Sequence, residues 1–225
     1  MKSTSESDEV NSRLKNLINS KIRIITDKKV DFDKLLIQNL GIEKNGLDIG
    51  KGLRDKYALV SEKLNKIETL DINQFNDYPD IRMDLCSKNT NNLEKNYDVI
   101  FCFSILEHCY NPFQACLNME SMLKKNGKIF GYVPFLFQFH CPDDLSYQDY
   151  FRFTAHSLIV LFPNAKNIQI FPSRGKIGTT LNILSSKYKY KFEKHFKFIS
   201  KVINNIRIKK NPMQTSGFNF IVNYD

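Results

Sequence analysis

Leu47-Asp48-Ile49-Gly50-Lys51-Gly52 reads as a short apolar strand, with Gly46 at its start, that breaks into a tight turn. The chain has nine glycines in 225 residues, and two of them stand in this turn. Glycine lets the backbone approach a ligand without a Cβ in the way. Outward from the turn, further apolar runs have strand length: Lys66–Asp71, which alternates, the short Ile81–Asp84, Tyr97–Phe103 and Lys128–Val133. Tyr97–Phe103 is the most continuously apolar, as a strand covered on both faces should be.

Helical patterns fall between and before these strands. Phe32, Leu35, Leu36 and Leu40 recur at helical spacing, and Gly41 ends that segment. Asn111-Pro112 opens another helix, Asn as cap and Pro at the first position, with Phe113, Cys116, Leu117, Met119 and Leu123 on its apolar face and a stop expected at Asn126-Gly127. Strands alternating with helices imply βαβ units and a parallel sheet, an α/β fold. Residues 134–153 are aromatic and non-periodic, a long loop. Thr154 then caps a helix through Leu161, Asn167–Phe171 reads as a strand, and Gly217–Tyr224 as the last one. The domain reading is a polar N-terminal arm over 1–30 and a single domain over 31–225, with a basic helical insertion at 176–212.

Asp71 closes the second strand 23 positions after Asp48, a spacing that puts a carboxylate where a ribose hydroxyl pair would lie. Asp84 ends the third strand, within expected reach of an adenine amino group. A nicotinamide-binding fold is the competitor. It would want G-x-G-x-x-G, but the sixth position counted from Gly50 is Asp55, and no glycine follows Gly52 until Gly127. A pyrophosphate needs those close approaches and a helix N-terminus. A nucleoside cofactor without phosphate does not.

Leu47–Gly52, then Tyr97-Asp98-Val99-Ile100-Phe101-Cys102-Phe103-Ser104-Ile105-Leu106-Glu107-His108, then Met122–Lys128, together resemble class I S-adenosylmethionine-dependent methyltransferases, within the group whose fourth strand runs into a Leu-Glu-His turn. The resemblance spans about residues 40–180. It implies a Rossmann-like fold with a mostly parallel, seven-stranded sheet ending in an antiparallel hairpin. It implies S-adenosylmethionine as cofactor, with Asp48, Gly50, Gly52, Asp71, Asp84 and Phe103 around it. Two positions depart from the pattern: Lys51 stands between the glycines where a small residue is common, and Arg54 where many members have a third glycine.

Val133-Pro134-Phe135 through His140, Pro142, Asp149-Tyr150 and Arg152-Phe153-Thr154 resembles a bacterial subgroup linked with methylation of cell-surface sugars, with a longer His140–Asp149 spacing than that pattern. This loop leaves the fifth strand at the sheet edge where ligands of open α/β sheets lie. An alcohol acceptor needs a base, and His140 and His108 are the candidates by ordinary pKa. Either can instead serve only to fix the loop. Asp149, Tyr150 and Arg152 are the candidate acceptor contacts; Asp149 and Arg152 bind hydroxyls or an anionic group, or pair with each other. No metal is required by this reading.

The net charge is +9, yet nine basic side chains from Lys187 to Lys210, opposed by Glu193 alone, carry +8 of it. The basicity is local. With Phe192, Phe196, Ile199, Val202, Ile203 and Ile206 at helical spacing, residues 187–210 read as a solvated helix or a peripheral contact to an anionic membrane face; nucleic acid is the weaker reading. The five cysteines are odd in number and lack CxxC spacing, which opposes a disulfide framework or zinc ribbon and fits a reducing, cytoplasmic setting. No run is long and apolar enough for a signal sequence or membrane span. The sequence therefore points to methyl transfer to an oxygen, with a nitrogen as second choice, of a small acceptor, such as a surface-polysaccharide sugar or its nucleotide- or lipid-linked precursor. RNA or protein methylation, or a degenerate partner subunit of the same fold, are the alternatives.

Overall fold

A computed structural model of the chain describes residues 6–25, 31–88, 93–173, 179 and 214–225. The proposed basic helix and membrane contact at 187–210 lie outside the described residues. The strands are β1 (Ile22–Ile24), β2 (Asn45–Ile49), β3 (Lys66–Asp71), β4 (Ile81–Arg82), β5 (Tyr97–Phe103), β6 (Leu123–Pro134), β7 (Asn167–Pro172) and β8 (Gly217–Asn223). They form one sheet in the order β1-β7-β8-β6-β5-β2-β3-β4. β2, β3, β4, β5 and β6 run parallel, whereas β8 lies antiparallel between β6 and β7. This is the Rossmann-like methyltransferase fold, with eight strands among the described residues rather than seven.

The extra strand comes from the segment read as a polar arm. Residues Glu6–Lys21 form helix α1, and Ile22–Ile24 then pair parallel with Ile168–Ile170. A short helix in this arm fits its sequence, but three residues are too short a run to show a period, so the strand does not announce itself. Lys21 anchors the junction by donating to the Pro163 carbonyl at 2.8 Å.

β5 shows why the sheet sits where it does. Ile100 and Cys102 face one side, into a core with Leu47, Ile49, Leu106, Met119, Leu158 and Phe220. Val99, Phe101 and Phe103 face the other, with Leu36, Leu53, Val60 and Phe130. Strand alternation thus feeds two hydrophobic layers from one apolar run. Each large side chain so buried contributes about 1.5–3 kcal/mol.

Helix α2 (Phe32–Gln38) covers the second layer; the Asp31 carboxylate caps it by accepting from the Asp33 and Lys34 amides. α3 (Tyr57–Ser61) is short and follows a single 3-10 turn, Arg54–Lys56. α4 (Pro112–Met122) is capped by Asn111, which accepts from the Gln114 amide. It ends at Met122, before the Asn126-Gly127 stop expected from sequence. β6 begins at Leu123, because that residue already pairs with Tyr97 across a register shift. α5 (Ser157–Leu161) follows a turn in which the Thr154 hydroxyl accepts from the Ser157 amide. All five cysteines are free thiols, and four are buried.

Candidate active site

The carboxyl ends of β2, β3 and β4 lie side by side because these strands are parallel and in register: Ile49 pairs with Leu70, and Leu70 with Ile81. The turn after β2 is a strained one. Gly50 has φ +63°, and the next residue, Lys51, is also left-handed at φ 52°, as is Arg54 at φ 50°. For the two non-glycine residues that conformation costs about 1–2 kcal/mol each. A Cβ on Gly50 would lie 2.4 Å from the Ile105 Cδ1 atom, and one on Gly52 would meet the Phe103 backbone at 3.1 Å. The turn therefore packs directly on the end of β5 and leaves its own backbone bare.

Asp48 sits beneath this turn, 1% exposed, and accepts from the Leu53 amide at 3.2 Å. Burial pushes its carboxyl up to about 7, against the pull of the Leu53 and Gly52 amides. Asp71 accepts from the Asn73 amide at 2.9 Å and from the Tyr78 hydroxyl at 3.0 Å. The Lys51 ammonium lies 4.0 Å above the Tyr78 ring. Asp84 accepts from the Cys86 amide at 2.8 Å and the Tyr110 hydroxyl at 3.2 Å. Phe103 contributes backbone to the turn, while its ring packs edge-on against Phe32 at 6.3 Å, in the layer on the far side of the sheet.

The second half of the site is built where β5 and β6 end. Glu107 and His108 lie in a 3-10 turn, Leu106–His108. The backbone carbonyl of Glu107 accepts from the amides of Tyr150 and Phe151, which ties the 134–153 loop to this turn. The loop folds back so that the Asp149 side chain, fully buried, pairs with Arg152 through both guanidinium nitrogens. Asp149 also accepts from the His140 amide at 2.8 Å, and Arg152 donates to the Gln138 carbonyl at 2.7 Å. Burial works to raise the Asp149 pKa, but Arg152 and His140 outweigh it and hold the carboxyl at about 2. Of the two readings for Asp149 and Arg152, the geometry takes the pairing with each other. Tyr150 is exposed and donates to the Gln148 side chain at 3.1 Å.

His108 and His140 meet edge-to-face with ring centres 4.9 Å apart. His108 also stacks edge-on with Tyr147 at 4.6 Å, and burial lowers its pKa. Glu107, 1% exposed, lies beneath both rings; among the described residues neither of its carboxylate oxygens has a hydrogen-bond partner. Burial pushes its carboxyl up to about 8, with Asp149 adding to the rise. The sequence reading gave Glu107 no role. Its signal was present in the Leu-Glu-His turn, but a single acid beside a histidine does not reveal that a loop 33 residues later will set His140 over it. Tyr78 was missed as well, since nothing in the sequence signals that its hydroxyl turns back onto Asp71, an acid close by in the chain.

No protein-family model matches the chain, and no curated protein sequence does. Solved structures do match. A S-adenosylmethionine-dependent methyltransferase from Archaeoglobus fulgidus aligns over 96% of this chain and 93% of its own, with a TM-score of 0.52 at 15% identity. Phosphoethanolamine N-methyltransferase 2 from Haemonchus contortus, solved with S-adenosyl-L-methionine, aligns over 86% of this chain with a TM-score of 0.54 at 11% identity. The same worm enzyme with phosphomonomethylethanolamine and S-adenosylhomocysteine gives 0.53 at 11% identity. This chain spans about half the length of the worm enzyme, 51%. The likeness is one of fold: the chain has the Rossmann-like fold of these methyltransferases.

Proposed function

We propose that this chain is a S-adenosylmethionine-dependent methyltransferase that methylates an oxygen of a small acceptor, a sugar of a surface polysaccharide or its nucleotide- or lipid-linked precursor. The observation that carries the cofactor is the bare Gly50–Gly52 backbone with Asp48, Asp71 and Asp84 at or just beyond the carboxyl ends of β2, β3 and β4. The donor set suits a nucleoside with an amino acid tail. Asp71 keeps acceptor capacity beyond Asn73 and Tyr78 for ribose hydroxyls, Asp84 does so for an adenine amino group, and the turn offers no cradle for a pyrophosphate.

When bound, S-adenosylmethionine supplies a methyl group on a sulfonium, already activated for transfer. The protein's part is then mainly to bind and orient the acceptor and to exclude water. His108 ends the turn after β5, and His140 meets it from the loop after β6, which is braced by the Asp149–Arg152 pair. In this reading His140 takes the acceptor's proton, and the exposed Tyr150 and Phe139 offer rings to a sugar face. The sugar acceptor is supported by the resemblance of the 134–154 segment to the surface-sugar subgroup. Among the described residues no helix is long and apolar enough to cross a membrane; a peripheral contact through 187–210 belongs to the proposal.

The deciding measurement is calorimetric titration with S-adenosylmethionine and S-adenosylhomocysteine, repeated on Asp71→Ala. Micromolar binding that the substitution weakens strongly is expected. Absence of binding of either ligand at millimolar concentration overturns the enzyme reading and leaves the degenerate partner subunit. Sugar, RNA and protein acceptors are then separated by methyl-transfer assays, RNA binding being marked by its steep loss with salt.

A further inference from the structure

Glu107, His108 and His140 bring three metal-ligating side chains together at one point: their ligand atoms all lie within 4.8 Å of one another. The histidine Nε2 atoms of His108 and His140 stand 3.8 and 4.0 Å from the Glu107 Oε1 atom. In zinc and related sites the metal–ligand bonds are about 2.0–2.2 Å, so ligands of one ion sit about 3 Å apart. Closing the gap needs side-chain shifts of under about 1 Å.

Two further features single this cluster out. The first is the Glu107 carboxylate, which is 1% exposed and whose two oxygens have no hydrogen-bond partner among the described residues. A buried polar group left so is costly and calls for an explanation. The second is how the rings are held. The His108 Nδ1 atom lies 2.6 Å from the Gln148 carbonyl; the His140 Nδ1 atom hydrogen-bonds with the Gln138 carbonyl at 3.3 Å and lies 3.2 Å from the Asp149 carboxylate. Each Nδ1 thus faces acceptors, an arrangement that suits an Nδ1–H tautomer with Nε2 facing Glu107 as the ligand atom. Histidine ligands of metal ions are oriented in this way, by a carbonyl or a carboxylate behind the ring. The side chains of His108 and His140 are 16% and 32% exposed, so an ion can enter from the histidine side.

We propose that Glu107, His108 and His140 form a binding site for a divalent transition cation. Two histidines and one carboxylate leave coordination positions open, and these take an oxygen ligand. That oxygen belongs to the acceptor, a part that rests on the methyltransferase reading. With the ion bound, the His140 lone pair is a ligand, and the ion would acidify the acceptor hydroxyl, whose proton would leave to solvent; in the metal-free protein His140 keeps the role of base proposed above. Asp149 and Arg152 are positioning residues: they fix the loop that carries His140.

The test uses the full chain, dialysed against a chelator and titrated calorimetrically with zinc, then with manganese. One equivalent bound at micromolar affinity or tighter is expected. Glu107→Gln and His140→Ala are each expected to weaken it by more than the roughly 10- to 100-fold that changes behind the ligands cause. Cobalt is a spectroscopic arm: its visible bands should appear on binding to the wild type and vanish in His140→Ala. That second variant lies at the partly exposed rim and keeps the test available should Glu107→Gln not fold. Binding absent at millimolar metal, or equal in wild type and both variants, overturns the proposal. Metal bound as expected without any binding of S-adenosylhomocysteine upholds the site and removes only the methyltransferase reading.

Discussion

Replacing Asp48 by asparagine should make the protein more stable, increasingly so as pH rises. The carboxyl is 1% exposed, and burial holds its pKa at about 7 against an ordinary 3.8. A carboxyl raised in the folded state keeps its proton there while the unfolded chain has already lost it. Folding stability therefore falls as pH climbs from 3.8 toward 7 and levels off above. The difference is about three pH units, and at about 1.36 kcal/mol per unit the full penalty is about 4 kcal/mol. Asparagine carries no such charge and retains an oxygen to accept from the Leu53 amide. Denaturant unfolding of wild type and Asp48→Asn at pH 5 and pH 8 reads the effect. The variant's advantage should grow by about 3 kcal/mol between the two. An advantage that stays flat with pH, or a variant less stable at pH 8, refutes the account of Asp48 as a buried, strained carboxyl.

Gly50→Ala forces a Cβ into a left-handed residue and to 2.4 Å from Ile105. It should destabilise the domain by about 2 kcal/mol and weaken S-adenosylhomocysteine binding, read by thermal melting and calorimetry; an unchanged melting temperature would show that the turn yields freely. Tyr78→Phe removes a hydroxyl that occupies Asp71 at 3.0 Å. If the Asp71 carboxylate receives the ribose, affinity for S-adenosylhomocysteine should rise about 2- to 10-fold, whereas a tenfold loss would make the hydroxyl part of the cofactor site. Asp149→Ala leaves Arg152 unpaired beside a buried gap and frees the His140 loop. A loss of about 3 kcal/mol, or about 6–12 °C in melting temperature, is expected, and a shift under about 2 °C counts against the brace.

The parallel sheet was legible because it needs only local information. Leu47–Ile49 and Tyr97–Phe103 are apolar runs at strand length, and Gly50 and Gly52 mark a turn whose backbone must be bare. Asp71 and Asp84 could be assigned to one edge because parallel strands bring their carboxyl ends together whatever lies between. β1 could not be read in this way. Ile22–Ile24 becomes a strand only by pairing with β7, about 145 residues on, and three residues carry no period. The end of α4 was misplaced for a similar cause: Leu123 fits the helix face by spacing, but its pairing with Tyr97 takes it into β6.

The amino-acid order by itself determined the α/β class, the parallel strands from β2 to β6 and the glycine turn after β2, since hydrophobic period and glycine placement act over a few residues. Tertiary structure alone decided what the chemistry of Glu107, His108, His140 and Asp149 amounts to. A loop closing on the end of the sheet buries one carboxylate without a partner, gives the other an arginine, and turns two histidines toward the first. Burial and the direction of a ring nitrogen are properties of packing, and packing is set by contacts between residues far apart in the chain.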